Sequence, residues 1–441
     1  MSAIAKVMFE MGYHITGSDV AMHELSHKLQ KNGVKVDIGH KSEHIDGADL
    51  VVYSTALAPD NVELIAAKER NISVLHRSQM LARLMSHYKG IAVAGAHGKT
   101  TTSSMIAYVM VTCQHDPTFI IGGEVMDLGS NARAGKGPYL IAEADESDGS
   151  FLHYMPYIAV VNNIEADHLE NYQGSFEQLQ QAYAQFMNQV TPEGRSVVCI
   201  DDPVIQSLIP HIHGNVVTYG IDHPADVRAV NIQLGDRKVT FTVQHQGIEL
   251  GLVHLSVPGK HNIYNALATI VTCMEIGLTF EQVATTIAHF KGAKRRFQVL
   301  ADVAGHLVID DYAHHPTEIE ATLQAAKASG MNIIAVFQPQ RYSRTFYLFE
   351  EFSRAFRDAD QVIITDIYSP AGEQKIEGVH AAKLVESIRE HSNPHVLYVP
   401  TGEEALALLI VSIKPGDLVI TMGAGDIWKT GEALAAHLLR Q

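Results

Sequence analysis

Cysteine is scarce in this chain of 441 residues: there are three, Cys113, Cys199 and Cys273. They are widely separated and odd in number, and no CxxC pair occurs. A disulfide framework and a thiolate metal site are excluded, and a reducing cytoplasm is the expected setting. No run of about eighteen apolar residues exists, so no membrane-spanning helix is expected. The opening stretch, MSAIAKVMFEMGYHITGSD, lacks the basic flank and long apolar core of a secretory signal. A surplus of positive charge is also missing: 33 basic against 49 acidic residues give a formal net charge of −16. Such a chain as a whole repels nucleic acid and anionic membranes, although a local basic pocket is compatible with it. Solenoid-period repeats, low-complexity tracts and an intact GxGxxG after a strand are lacking too.

What is present is an ordinary globular composition, 46% hydrophobic and 19% charged, long enough for about three domains. Short apolar runs alternate with helical patterns from end to end. Buried strands are expected at 34–39, 49–54, 91–95, 139–145, 157–163, 307–312, 332–338, 361–366 and 417–423. Helix-like stretches such as EFSRAFRDA and HAAKLVESIRE lie between them. Continuous apolar strands alternating with helices imply an α/β fold with parallel sheets covered on both faces. Residues 216–257 break this pattern with short β-type alternation and turn residues, which predicts a small antiparallel sheet inserted in the middle domain. Boundaries are expected near His87–Gly90 and Lys291–Arg295, dividing the chain into 1–88, 89–293 and 294–441.

The stretch VAGAHGKTTTSS (93–104) carries the most chemistry. An apolar strand runs into a turn holding Gly95, Gly98, Lys99, Thr100 and Thr101, followed by a helix. A glycine turn at a helix start aims backbone N–H groups and the positive end of the helix dipole at an anion. Lys99 could reach the β- and γ-phosphates of a nucleotide, and the Thr100 hydroxyl could sit on magnesium. Gly95 precedes Gly98 by three residues, so the turn is shorter than the common phosphate loop. A plain strand-to-helix turn is the alternative; the order of strand, GKT and helix favours a nucleotide-phosphate site.

Acids cluster at the next strand end, in YLIAEADESDGSF: Glu143, Asp145, Glu146 and Asp148. Strand ends present ligands in parallel α/β sheets, and Mg2+ takes hard oxygen donors but few from protein. Glu143 is the simplest candidate, against a solvated acidic turn. In NNIEADHLENY, His168 stands among carboxylates, where it could bind a second metal or polarise a phosphate, or be structural. Asn262 and Asn265 share one helix face and could read an adenine edge or phosphate oxygens, or stitch the helix to a loop. Arg295 and Arg296 offer one guanidinium to a triphosphate, or form a solvated linker pair. Arg341 and Arg344 suit bidentate recognition of a carboxylate, and Tyr312 and His314 could line the same pocket.

Taken in order, AHGKTTT, EADESDGSFLH, NIEADHLENYQGSF, PGKHNIYNALA, GAKRRF, DDYAHHPTE, QPQRYSRT and GAGDI resemble the Mur ligases of peptidoglycan synthesis, and the resemblance covers nearly the whole chain. It implies three domains: a Rossmann-like N-terminal UDP-substrate domain (1–88), a central P-loop ATPase domain (89–293) with a parallel sheet plus a small antiparallel sheet, and a Rossmann-like C-terminal domain (294–441) that carries the amino acid. The branch it is most similar to implies ATP-dependent joining of L-alanine to the carboxylate of UDP-N-acetylmuramate through an acyl phosphate, in the cytoplasm, as a monomer or dimer. ATP and Mg2+ are the implied cofactors. Carried over by position, Gly95, Ala96, His97, Gly98, Lys99, Thr100 and Thr101 would cradle ATP, with Asn262, Asn265, Arg296 and Asp311. Thr100 and Glu143 would ligate one Mg2+ and His168 a second, with Lys99, Glu143 and His168 at the chemistry. Tyr312, His314, Arg341 and Arg344 would receive L-alanine, and Ser18, Asp19 and Ser54 would serve the UDP-substrate site.

Two departures stand out. Position 96 is Ala where the family has Thr, and the chain starts inside the family's usual GIGGxGM turn, so the first strand and diphosphate-binding glycine loop are expected to be missing. A ligase that recycles a tripeptide onto UDP-N-acetylmuramate is the nearest alternative, and a truncated form with impaired UDP-substrate binding is the other expectation. Folylpolyglutamate synthetases, a non-catalytic binding protein and a nicotinamide-dependent oxidoreductase fit the motifs less well.

Overall fold

A computed structural model describes residues 1–441 apart from 56, 59, 236–237, 370–372, 441 and the side chain of residue 170. The chain forms two compact units. The first comprises Met1–Ala229, Val243–Gly251 and Tyr264–Ile287, and the second Val230–Thr242, Leu252–Ile263 and Ala288–Gln441. Every strand expected from the apolar runs is present, and the architecture is α/β throughout.

Within the first unit, Lys89–Ala94 lies between Ile158–Val161 and Tyr139–Glu143, parallel to both. Its residues Ile91, Ala92, Val93 and Ala94 are wholly buried, as are Ile158 to Val161. An unbroken apolar run is what a parallel strand needs when both sheet faces are covered. Each such Ile or Val contributes about 1.5–3 kcal/mol by leaving water. Residues 1–88 carry two further parallel pairs, Thr16–Asp19 with Lys35–Ile38 and Leu50–Tyr53 with Ser73–His76.

The expected antiparallel insertion is corrected in part. Asn215–Gly220 is parallel to Arg195–Cys199, inside the main sheet. Val227–Leu234, Val239–His245 and Ile248–Leu255 continue that sheet to ten strands instead of forming a small separate one. The last two strands are joined by Gln246 and Gly247 alone, a connection too short for anything but an antiparallel pair. Both turn residues have positive φ, 50° and 80°, as the twist of a type I′ hairpin requires.

In the second unit, six strands run in the order Gln298–Val303, His306–Asp311, Asp417–Met422, Asn332–Phe337, Gln361–Ile364 and Val396–Tyr398. The first pair is antiparallel and the rest parallel. The period of two along each strand divides the side chains between two cores. Ile309, Ala335, Phe337 and Ile420 enter one, and Val308, Ile334, Val336 and Val419 the other.

Candidate active site

Three neighbouring parallel strands end at one place. Lys89–Ala94 delivers the 95–98 turn, Tyr139–Glu143 delivers the acids, and Ile158–Val161 delivers Asn162 and Asn163. The helix Lys99–Thr112 starts from Gly98, whose φ is +79°. A Cβ there would stand 2.5 Å from Asn265 Oδ1 and 3.0 Å from Asn162 Nδ2, so only glycine fits this turn. The amides of the helix's first turn have no acceptor within the helix and face outward from its N-terminus.

The turn is held by a clamp that the sequence reading missed. The His97 amide donates to Asn163 Oδ1 at 2.8 Å, and the Asn163 and Asn162 side chains each donate to the His97 carbonyl at 3.3 Å. Asn162 also donates to Thr102 Oγ1 at 3.2 Å and accepts from the Tyr219 hydroxyl at 3.1 Å. The signal was the NN pair directly after an apolar strand. Asn265 joins this network, its Oδ1 accepting from Thr102 Oγ1 at 3.1 Å. Asn262 donates instead to the Pro258 carbonyl at 2.6 Å, one turn back on its own segment.

Lys99 is the centre of charge. Its Nζ donates to both Glu146 oxygens, at 2.8 and 2.9 Å, and to the carbonyl of Gly95. Burial works against the ammonium, but the carboxylates of Glu146, Asp145 and Glu143 outweigh it and hold Lys99 above its ordinary range. Glu146 is 4% exposed; four acids were recognisable in the sequence, but nothing in it marked this one as the partner of Lys99. Glu143 accepts from the Gly122 amide at 2.7 Å and lies 3.5 Å from Ser103 Oγ on the phosphate-loop helix. Through Ser103 the Glu143 carboxylate is tied to the helix that Lys99 and Thr100 open, so a hard oxygen donor stands beside that helix. His168 sits in the left-handed region, at φ +55°, with Nε2 3.5 Å from Asp167 Oδ2.

Of the residues expected to serve a UDP-substrate, Ser18 lies in the strand Thr16–Asp19 inside a polar network. Its hydroxyl donates to Glu63 at 2.7 Å and lies 3.2 Å from His40 Nδ1. Glu63 further accepts from the Lys41 amide at 3.2 Å and pairs with His44 at 2.9 Å. Burial opposes the Glu63 charge, yet these donors keep its carboxyl below the usual range. The Asp19 carbonyl accepts from Gly39 and that of Ser54 from Leu57.

The second unit gathers a separate cluster. Asp311 is buried and accepts from the Phe297 and Ala313 amides, both at 2.7 Å. Burial pushes its carboxyl up to about 6. Arg296 lies 3.6 Å from Glu318 and over the Tyr312 ring, 5.2 Å from its centroid. Tyr312 packs edge-on against His314 at 5.3 Å, and Glu318 pairs with His314 at 3.2 Å. Burial pushes His314 down to about 4 against the pull of Glu318, and the charge of Arg344 adds to that depression. Arg344 is 8% exposed, its Nη1 donating to Gln340 at 3.1 Å. Arg341 is exposed and caps the helix Tyr342–Tyr347 from φ +69°. Arg295, beside Arg296 in sequence, turns inward: it donates to Asp310 at 2.9 Å, to the Gly423 carbonyl at 2.6 Å and to that of Gly425 at 3.3 Å.

Three family models match the chain: Mur ligase family, catalytic domain over 1–89, Mur ligase middle domain over 93–273, and Mur ligase, glutamate ligase domain over 295–425. A UDP-N-acetylmuramate--L-alanine ligase of Pelotomaculum thermopropionicum is 47% identical over 440 residues, covering 99% of this chain and 95% of that protein. The protein of the same name from Geobacter sulfurreducens is 46% identical, with the same coverage. Among solved structures, the UDP-N-acetylmuramate-alanine ligase of Thermotoga maritima superposes with a TM-score of 0.84 at 27% identity, covering all of this chain and 96% of that one. A murein peptide ligase from Psychrobacter arcticus, at 24% identity and a TM-score of 0.70 over 99% of this chain and 96% of its own, shares the fold.

Proposed function

From the premise that this chain belongs to the Mur ligase family, we infer that it is an ATP-dependent ligase joining L-alanine to the carboxylate of UDP-N-acetylmuramate in peptidoglycan precursor synthesis. The observation that carries the reading is the convergence of the glycine turn, Lys99 and Glu143 at the ends of three parallel strands. The cradle fits a nucleotide: first-turn amides for phosphate oxygens, a lysine for the γ-phosphate, and no room for a side chain at Gly98.

We assign the residues roles on that basis. Lys99 leaves Glu146 and neutralises the γ-phosphate as it passes to the muramyl carboxylate, forming an acyl phosphate. The amino group of L-alanine then attacks the acyl carbon, an amide bond forms, and phosphate departs. Thr100, Glu143 and His168 would hold Mg2+, which supplies charge neutralisation to the phosphates when bound. Asn162 and Asn163 keep the turn rigid, so the amides need no reorganisation during transfer. Residues 1–88, with Ser18, Asp19 and Ser54, would hold the nucleotide sugar. Asn262, Asn265, Arg296 and Asp311 would serve ATP, and Tyr312, His314, Arg341 and Arg344 the amino acid. Such a reaction belongs in the cytoplasm, where ATP is supplied; among the described residues no helix is long and apolar enough to cross a membrane.

The test is phosphate release with Mg-ATP, UDP-N-acetylmuramate and L-alanine, each omitted in turn. Release should require all three and vanish in Lys99→Ala. Release that proceeds with a tripeptide but not with L-alanine would replace this reading with the recycling one.

A further inference from the structure

Lys99 and its acids lie close to a cation from another part of the chain. Arg77 opens the helix Arg77–Met85, directly after the strand Ser73–His76. Its Nη2 reaches Asp145 Oδ2 at 3.0 Å and Asp148 Oδ2 at 3.7 Å. The other oxygen of Asp145 is engaged by the Ser147 amide at 3.1 Å, and Asp148 Oδ1 by the Ser150 amide at 2.9 Å. Asp145 immediately precedes Glu146, the partner of Lys99. Three acids thus crowd one turn, and two cations from distant segments divide them: Lys99 takes Glu146, and Arg77 takes Asp145 and the edge of Asp148.

We propose that Arg77 is a positioning residue for the phosphate-loop lysine: by occupying Asp145, it leaves Lys99 with a single carboxylate to release when nucleotide phosphates arrive. The inference rests on the reading of Lys99 as a phosphate ligand. Its physical basis is competition. An ammonium beside two unneutralised carboxylates is held more tightly than beside one, and every increment of that hold subtracts from its attraction to phosphate. Asp145 feels Lys99 already. Burial would raise its carboxyl, but Lys99 first, then the Ser147 contacts and Arg77, keep it below the usual range. Around Arg77 itself stand Asp145, Asp148 and the Tyr154 hydroxyl, with the chain's α-amino group also within its field. The two carboxylates are the only anionic side chains among these. Because Arg77 follows the strand Ser73–His76 in the segment expected to bind the nucleotide sugar, the same contact ties that segment to the phosphate loop.

The experiment measures ATP affinity by calorimetry, and turnover by phosphate release, for the full chain and three variants. Arg77→Ala should weaken ATP binding roughly tenfold and lower kcat/KM for ATP, although Arg77 is outside the phosphate cradle. Adding Asp145→Asn to it removes the competing charge and should restore most of the affinity. Arg77→Lys should lie between, since an ammonium neutralises without the guanidinium's fork. A purely structural role would not be rescued by Asp145→Asn. Unchanged ATP affinity in Arg77→Ala, or a double variant no better than the single, overturns the proposal. The calorimetric arm reads this even if the unmodified chain releases no phosphate, an outcome that would count against the ligase reading alone.

Discussion

Arg295 and Arg296 are adjacent, identical in chemistry and opposite in use. The sequence motif GAKRRF marked a guanidinium for the nucleotide but could not say how its neighbour was spent, because the acceptors of Arg295 lie 15 to 130 residues away. Asp310 is 1% exposed; burial raises its carboxyl, and Arg295, together with the Thr421 hydroxyl at 2.7 Å, favours its charged form against that burial. Arg295→Ala therefore leaves a buried carboxylate without its cation and should destabilise the second unit by about 3 kcal/mol. Arg296→Ala removes a half-buried contact to Glu318 and a cation over the Tyr312 ring, and should cost less than Arg295→Ala, about 1 kcal/mol, while lowering ATP turnover. The chain's single tryptophan, Trp428, lies in the second unit, so urea unfolding followed by its fluorescence separates the two. Equal midpoints for the two variants would contradict this division of labour. The same limit hid the pairing of Lys99 with Glu146. Acid content is visible in EADESD, but which acid meets a lysine 47 residues away is decided by where strands end.

At the scale of elements, the sequence was most legible where a local rule acts. Apolar runs gave the strands bordering the phosphate loop, and the turn-helix order of AHGKTTT gave the helix Lys99–Thr112. Alternation and turn residues marked 216–257 as β structure, but the hairpin at Gln246–Gly247 went unread. What alternation does not encode is which sheet a strand joins, since edge pairing depends on the neighbour and not on the strand's own period. Hence three strands expected as a separate sheet extend the main one. Two glycines at element ends make the distinction between local and tertiary demands measurable. At Gly247 a Cβ would meet nothing within 4 Å, so Gly247→Ala should cost only the backbone strain, about 1 kcal/mol, with ATP affinity intact. At Gly98 the same backbone strain is joined by contact with Asn265 and Asn162, so Gly98→Ala should cost more and also weaken ATP binding. Thermal unfolding and calorimetry on both variants check this; normal ATP affinity in Gly98→Ala would show that the Asn clamp yields.

For the molecule as a whole, charge burial sets how acid is tolerated, and the second unit concentrates it. Burial pushes both His261 and His314 down to about 4 and pushes Asp311 up to about 6. The two effects have opposite sign. The unfolded chain takes up protons on the histidines near their ordinary value of 6.5, while the folded unit refuses them until about 4, so stability falls as pH drops through that window. Asp311 is protonated in the folded unit below about 6 but in the unfolded chain only near 3.8, so it stabilises the fold over much of the same range. Each group is worth about 3 kcal/mol at full effect. Two losses against one gain leave a net loss of about 3 kcal/mol between neutral pH and pH 4. Urea midpoints by Trp428 fluorescence should fall steadily from pH 7 to pH 4.5. Asp311→Asn, which removes the compensating group, should make the decline steeper, and the double variant His261→Gln with His314→Gln should reverse it, leaving a unit that gains stability as acid is added. A midpoint in the unmodified chain that does not move across this range would mean that these imidazoles titrate as exposed groups, and that the cluster around Tyr312 is open to water.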